Sequence, residues 1–178
     1  FSFSHNAILC GVSLPVVRRF DGGRRIDRVT RRAKHAVLHC GDRRLVVQPG
    51  MTGSLLVHRK ALTPDEARYA VLRAELDDGR TLVYRDVRRL GTLLWLDDRG
   101  WDAYDTALGP EPLDPAFTPN VLGERMSGSR QAVKKVLMDQ AVVVGVGNIY
   151  ANEALFRAGI DPSKPAASLT KSQHEALH

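Results

Sequence analysis

The run VVVGVGN at residues 142–148 combines two glycines and an asparagine in a pattern that suits phosphate binding. Gly145 and Gly147 permit a close turn, and a helical pattern starts at Asn148. A helix N-terminus offers unpaired backbone N–H groups to anions. The spacing fits a dinucleotide-binding loop, a purely structural turn, or a helical hairpin that holds a nucleic-acid phosphate. The first is disfavoured because Tyr150 stands where a third glycine is required and the preceding segment has a helical pattern.

The charge of the chain favours a polyanionic partner. The sequence contains 26 Lys and Arg against 20 Asp and Glu, a formal net charge of +6. Basic residues are concentrated at residues 18–32. Cations that neutralise phosphates release condensed counterions, which drives binding to nucleic acids. A solvated basic surface without a partner remains the alternative interpretation.

The two cysteines do not indicate a metal site. Cys10 and Cys40 have neither zinc-ligand spacing nor the dense pattern of a disulfide scaffold, so we expect reduced thiols in a cytoplasmic protein. No apolar run is long enough to span a bilayer. The sequence therefore predicts no membrane partner and no metal ligands.

The elements that position these residues follow two patterns. From residue 7 to about residue 97, short apolar stretches are separated by Gly, Asp and Pro, with hairpin turns expected at CGDRR, LDDGRT and LDDRGW. One short helix is expected at LPVVRRFDGG, ending at Gly22 and Gly23. Many short strands without long helices predict an antiparallel β-sandwich or barrel.

Helical patterns begin after Trp101. The segment ALGPEPLDPAFTPN predicts a linker or a helix entry, with Asp114 and Pro115 as its N-cap and first helical residue. SRQAVKKVLMDQ predicts a helix capped by Ser129, and SLTKSQHEALH predicts one that starts at a Ser or Thr cap. NIYANEALFRAG predicts a helix that ends at Gly159. Its expected buried residues are Ile149, Ala151, Ala154, Leu155 and Ala158.

Several motifs together resemble one family. LMDQAVVVGVGNIYANEALFRAGIDP resembles the helix–two-turns–helix motif of the formamidopyrimidine-DNA glycosylases. VTRRAKHAVLHC, QPGMTGSLLV, LDDGRTLVYRDVRRLGTLLWL and LGPEPL resemble other signatures of that family, in the same order. The resemblance covers nearly the whole chain. It implies an α+β protein, with an N-terminal antiparallel β-sandwich at residues 1–106 and a helical DNA-binding domain at residues 107–178.

The resemblance implies a repair reaction. The family excises oxidised purines such as 8-oxoguanine and formamidopyrimidines, then cuts the abasic strand by β,δ-elimination. Its amine, which forms a Schiff base with the sugar, is an N-terminal proline followed by glutamate. This chain starts with Phe1-Ser2, Pro15 is internal, and the family's four-cysteine zinc finger is missing. We therefore expect a fragment that is inactive alone and binds no zinc, zinc being expected only in the finger of the full-length protein.

The resemblance assigns roles in the first domain to matched positions. Lys34 in RRAKH matches the family's catalytic lysine, a proton donor or phosphate clamp. Met51 in GMTG, with Arg88 and Leu90 in DVRRLG, matches residues that fill the gap left by an everted nucleotide. Leu90 replaces the usual phenylalanine, so the side chain expected to enter the DNA at this position is aliphatic. Arg88 is also expected to bind DNA.

Other matched positions imply contacts with the DNA backbone. Arg130, Lys134 and Asn148 match DNA-binding positions, and Arg130 and Lys134 are predicted to share one helical face. Tyr69 stands where the family has a DNA-binding histidine, and Gln48 with Pro49 replaces His-Leu. These departures remove charge from the expected interface.

The resemblance implies a bacterial monomer in the cytoplasm, at the nucleoid, whose partner is double-stranded DNA with oxidised bases or abasic sites. Two alternatives remain. The first is a non-catalytic module that binds damaged DNA. The second is an endonuclease VIII-like glycosylase for oxidised pyrimidines, because the base-recognition loop of the family is expected beyond His178.

Overall fold

The structure, a computed structural model, describes residues 2–3 and 24–178. It divides the chain into two units, Phe1–Asp102 and Ala103–His178. The predicted strand AILCGV, the predicted helix LPVVRRFDGG, Cys10 and Pro15 lie outside the described residues.

The described residues of the first unit form two four-stranded antiparallel sheets, which confirms the predicted β-sandwich architecture. One sheet has the order β1 (Ser2–Phe3), β6 (Ala70–Glu75), β7 (Thr81–Asp86), β5 (Gly53–His58). The other has the order β2 (Arg28–Arg32), β3 (His35–Cys40), β4 (Arg43–Gln48), β8 (Thr92–Leu96). Apolar residues of both sheets form one core, which includes Leu38, Leu45, Leu72, Tyr84, Leu93 and Trp95.

Two of the three predicted hairpin turns are confirmed. Gly41 in CGDRR and Gly79 in LDDGRT adopt φ values of 67° and 79°, which glycine reaches without steric cost. LDDRGW is not a hairpin turn, because it leads into a helix, α2 (Asp98–Thr106). The Asp97 side chain accepts a hydrogen bond from the backbone N–H of Gly100 (2.8 Å) and so caps that helix.

Another helix of this region, which precedes α2 in the chain, was not predicted: α1 (Pro64–Arg68). Its start carries a capping box in which the Thr63 hydroxyl accepts from the Glu66 N–H, and the Glu66 carboxylate accepts from the Thr63 N–H. Pro64 occupies the first turn, where its missing N–H costs nothing. These signals are legible in TPDEAR and outweigh the strand pattern around them.

The second unit is helical. Its elements are α3 (Pro119–Met126), α4 (Val133–Leu137), α5 (Asn148–Arg157), a 3₁₀ turn (Ala166–Ser168) and α6 (Lys171–Leu177). The predicted helix at NIYANEALFRAG is confirmed, with Gly159 at φ 64° after its end. The helix predicted at SLTKSQHEALH is also confirmed, and Thr170 caps it in a capping box with Gln173. The core of the unit includes Leu122, Met126, Val133, Leu137, Ala151 and Leu155.

Three predictions about these helices were wrong. The helix entry is at Thr118 and Pro119, not at Asp114 and Pro115, because the Thr118 side chain caps α3. Helix α4 begins at Val133 and Ser129 does not cap it. The backbone of residues 129–133 is instead hydrogen-bonded to residues 164–167, a long-range pairing that competes with helix formation. Ile149, expected in the core, is 76% exposed.

Candidate nucleic-acid interface

Three loops of the first unit lie at one end of the sandwich. The pairing of Gln48 with Thr92 and of Ala36 with Val47 places the turn between β2 and β3 beside the end of β4 and the start of β8. In the other sheet, Gly53 at the start of β5 pairs with Asp86 at the end of β7. The short connections at residues 49–52 and 87–91 therefore join the two sheets at this end, where Lys34 also lies.

Lys34 occupies a tight two-residue turn. Ala33, the other turn residue, is buried and adopts a φ of 54°, the left-handed region that costs non-glycine residues energy. The guanidinium of Arg31 donates a hydrogen bond to the Ala33 carbonyl (2.8 Å), which helps to hold this conformation. Lys34 is exposed. Burial and the charge of Lys34 lower the pKa of the adjacent His35, which favours the neutral form of the imidazole.

Met51, Arg88 and Leu90 are exposed on two neighbouring loops. Met51 in the loop at residues 49–52 is 80% exposed, and Leu90 in the loop at residues 87–91 is 57% exposed. Val87 is a further exposed apolar residue of the second loop, which sequence reasoning did not single out. Apolar side chains concentrated on two short loops next to Arg88 form a surface suited to contact with unstacked bases.

A buried carboxylate lies beneath these two loops. Asp86 is fully buried, and the sequence analysis missed it. Its oxygens accept hydrogen bonds from the Thr52 hydroxyl (2.6 Å), the Gly91 N–H (2.8 Å), the Arg88 N–H (3.2 Å) and the Tyr84 hydroxyl (3.3 Å). Burial alone raises the pKa of Asp86, but these hydrogen bonds outweigh burial and hold the pKa below its ordinary value. Burial and the charge of Asp86 raise the pKa of Tyr84 to about 12.

Tyr69 lies next to this network. Its carbonyl accepts a hydrogen bond from the Asp86 N–H (3.0 Å). The guanidinium groups of Arg68 and Arg85 lie 5.3 and 5.5 Å from the centre of its ring. Such contacts are attractive because the ring face is electron-rich. Two arginines thus supply positive charge at the position where the resemblance implies a histidine.

In the second unit, Asn148 is the first residue of α5. The first helical hydrogen bond runs from the Ala151 N–H to the Gly147 carbonyl (2.8 Å), so the N–H groups of residues 148–150 have no partner in the helical ladder. Gly147, the N-cap, has no side chain to bind them. Asn148, Ile149 and Tyr150 are exposed. The helix start can therefore accept an anion through backbone donors and the Asn148 amide.

The Gln140 side chain holds the turn that precedes α5, and sequence reasoning missed this role. Its amide nitrogen donates to the carbonyls of Met138 and Val146 (2.9 Å each), and its oxygen accepts from the Gly145 N–H (2.9 Å). Gly145 has a φ of 82°, which explains the first glycine of the motif. The turn is thus fixed by a side chain five residues before it.

Arg130 and Lys134 do not share a helical face, contrary to the prediction. Arg130 is exposed and lies in the extended segment before α4, whereas Lys134 is half-buried in the first turn of that helix. The backbone N–H of Lys134 donates to the Pro162 carbonyl (3.3 Å). The structure thus places Arg130 before the helix and Lys134 within it.

Residues 24–178 contain no group of three or more His, Cys, Asp or Glu side chains arranged to hold a metal ion. Within the described part of the chain, every helix is too short or too polar to cross a bilayer. Cys40 is a buried free thiol.

Comparison with known proteins gives a consistent result for both units. Residues 9–93 match the model of the formamidopyrimidine-DNA glycosylase N-terminal domain, and residues 108–178 match the model of the formamidopyrimidine-DNA glycosylase H2TH domain. The formamidopyrimidine-DNA glycosylase of Geobacter sulfurreducens is 47% identical over 156 residues, which cover 87% of this chain and 57% of that protein. That of Chloroflexus aurantiacus is 43% identical, covering 88% of this chain and 56% of that protein.

Solved structures agree. The Lactococcus lactis formamidopyrimidine-DNA glycosylase, non-covalently bound to DNA with an AP site, superposes with a TM-score of 0.82 at 28% identity, covering 92% of this chain and 63% of that one. The MutM (Fpg) protein of Thermus thermophilus gives a TM-score of 0.76 at 38% identity, covering 89% and 58%. The chain thus spans less than two thirds of these relatives. Two domain models of one family match in sequence order, and the chain belongs to the formamidopyrimidine-DNA glycosylase family.

Proposed function

We propose that the protein containing this chain is a repair glycosylase that binds damaged duplex DNA and everts the damaged nucleotide. The observation that carries the proposal is the exposure of Met51 and Leu90 on two loops at one end of the sandwich, beside Arg88. Everting a nucleotide costs a few kcal/mol of lost stacking and pairing. Side chains that enter the vacated space offset part of this cost.

In this proposal different side chains contact bases, bind phosphates and take part in the chemical step. Met51 and Leu90 wedge between bases through apolar contact, and the Arg88 guanidinium donates hydrogen bonds to the base left without a partner. Tyr69, Arg130, Lys134 and Asn148 bind phosphates of the DNA backbone. Lys34, exposed at the same end of the sandwich as the wedge, serves as proton donor or phosphate clamp.

The chemical step is proposed from family membership. Oxidised purines are removed through a Schiff base between a protein amine and the sugar C1′, and β,δ-elimination then cuts the strand. The amine is the family's N-terminal proline. Zinc in this family belongs to a four-cysteine finger, and this chain contains two cysteines, so we propose that the chain itself holds no cofactor. We further propose a monomer acting in the bacterial cytoplasm, at the nucleoid.

Binding to an abasic site tests the wedge. An abasic analogue spares the protein the cost of eversion, so the chain should bind a duplex with one tetrahydrofuran site roughly tenfold more tightly than the undamaged duplex. Replacing Met51 and Leu90 together by alanine should remove most of this preference. Val57→Ala, at an exposed apolar position within β5, is the matched control. Equal loss in the control, or equal affinity of the wild type for both duplexes, would refute the proposal.

Borohydride trapping tests the chemistry. The full-length protein should form a covalent adduct with a duplex containing 8-oxoguanine, because reduction fixes the Schiff base. A duplex containing thymine glycol is the comparison substrate. Stronger trapping on thymine glycol would favour an endonuclease VIII-like specificity. Tight binding to damaged DNA without an adduct on either duplex would identify a non-catalytic binding module.

A further inference from the structure

The loops at residues 49–52 and 87–91 are in direct backbone contact. A Cβ atom on Gly50 would lie 3.0 Å from the backbone nitrogen of Gly91 and 3.1 Å from the carbonyl carbon of Leu90. A Cβ atom on Gly91 would lie 2.9 Å from the backbone nitrogen of Gly50. A side chain at Gly91 would force its neighbours to shift, and one at Gly50 would be tighter than an ordinary van der Waals contact. The loops that carry Met51 and Leu90 therefore form one packed unit.

Asp86 connects these loops chemically. Among residues 24–178 it is the only charged side chain that is buried. It accepts a hydrogen bond from Thr52 in the first loop (2.6 Å), and from the backbone N–H groups of Arg88 (3.2 Å) and Gly91 (2.8 Å) in the second. The Thr52 hydroxyl oxygen also lies 3.1 Å from the Arg88 nitrogen and accepts from its N–H. Thr52 and Asp86 thus bind the same backbone group from two sides.

Because Asp86 is buried, its hydrogen bonds strongly resist separation of the two loops. Burial of a charge is costly unless hydrogen bonds replace its lost hydration. If either loop moved away, Asp86 would lose one or more of its donors. The loss is larger than for an exposed group, because a partly satisfied buried network is strongly unfavourable. The two loops are therefore expected to hold one relative position, or to separate only when this end of the sandwich opens.

We propose that Asp86 is a positioning residue that, with Thr52, locks the two loops together so that Met51, Arg88 and Leu90 reach DNA as one preformed wedge. The role of the wedge in DNA binding rests on the function proposed above. The lock, meaning the hydrogen-bonded connection of the two loops through Asp86 and Thr52, does not. A preformed wedge avoids the entropic cost of ordering two loops during binding. The gain in affinity is therefore expected at a damaged site, where the wedge enters the DNA duplex. It is not expected for general contact with the DNA backbone.

Hydrogen–deuterium exchange of the DNA-free chain tests the lock. Thr52→Val keeps the side-chain shape and removes the hydroxyl, so the Arg88 amide should exchange about tenfold faster and the Gly91 amide should also lose protection. Thr52→Ser restores the hydroxyl and should behave like the wild type. Amides of the sheet formed by β2, β3, β4 and β8 serve as the internal control for intact folding. Unchanged exchange at Arg88 and Gly91 in Thr52→Val would overturn the lock.

Binding measurements with the same variants test the wedge. Thr52→Val should reduce the preference for a tetrahydrofuran duplex over an undamaged duplex about fivefold, with little change in affinity for the undamaged duplex. Asp86→Asn should reduce it further; if that variant does not fold, the Thr52 pair decides alone. Faster exchange with an unchanged preference would overturn the positioning role. A wild type without any preference would overturn the wedge and the proposed function, while the exchange data would still decide whether Asp86 joins the loops.

Discussion

Gly91→Ala is expected to remove most of the stability of the first unit. The new methyl would overlap the Tyr84 hydroxyl and lie 2.7 Å from the Gln48 carbonyl oxygen. The Tyr84 ring cannot rotate away, because it is fully buried and its hydroxyl donates to Asp86. Relief requires separation of the two loops, with loss of hydrogen bonds to Asp86. We expect a loss of about 3–5 kcal/mol in the free energy of unfolding.

Urea denaturation followed by tryptophan fluorescence measures this loss selectively. Both tryptophans of the chain, Trp95 and Trp101, belong to the first unit, so the signal reports that unit. Gly128→Ala, followed by circular dichroism, is the control, because a Cβ there meets nothing within 4 Å and its φ is not positive. The control should be within about 0.5 kcal/mol of the wild type. A loss below about 1 kcal/mol for Gly91→Ala would show that the loops separate easily.

The strands were predictable because their signal is local. Alternation of apolar residues and the glycines of CGDRR and LDDGRT depend only on neighbouring residues. The signal for helix α1 is equally local, since the capping box of Thr63 and Glu66 stands at its start. Helix α4 could not be predicted at its observed length. The segment before it, which the sequence predicted to be helical, pairs instead with residues 164–167, which lie far along the chain.

Some residues of the candidate site could likewise be predicted from the sequence, and others could not. Met51, Arg88 and Leu90 were found because they stand in motifs that resemble a family. Asp86 and Thr52 were not found, because their importance arises from strand register, which brings Gly53 opposite Asp86 across the sheet. An aspartate at a strand end is common in turns, and only the fold shows that this one is buried. Sequence thus identifies the residues expected to touch DNA more readily than those that position them.

The phosphate contacts assigned to the second unit predict a change in salt dependence. Each cation that neutralises a phosphate contributes about 0.9 to the slope of log affinity against log salt concentration. Replacing Arg130 and Lys134 together by alanine should lower the magnitude of this slope by roughly 1.8 and weaken binding to damaged and undamaged duplexes alike. Backbone contacts carry no base information, so the preference for an abasic site should persist.

The control for this prediction separates local contacts from net charge. Arg157 at the end of α5 and Lys171 at the start of α6 are exposed, and their replacement by alanine removes the same two charges from the same unit. Arg157 lies at the opposite end of the helix from Asn148, so this variant should keep nearly the wild-type slope. Equal effects of the two double variants would indicate diffuse attraction to DNA. An unchanged slope for Arg130 and Lys134 would exclude both from the interface and leave Asn148, with the backbone donors of α5, as the phosphate contact of this unit.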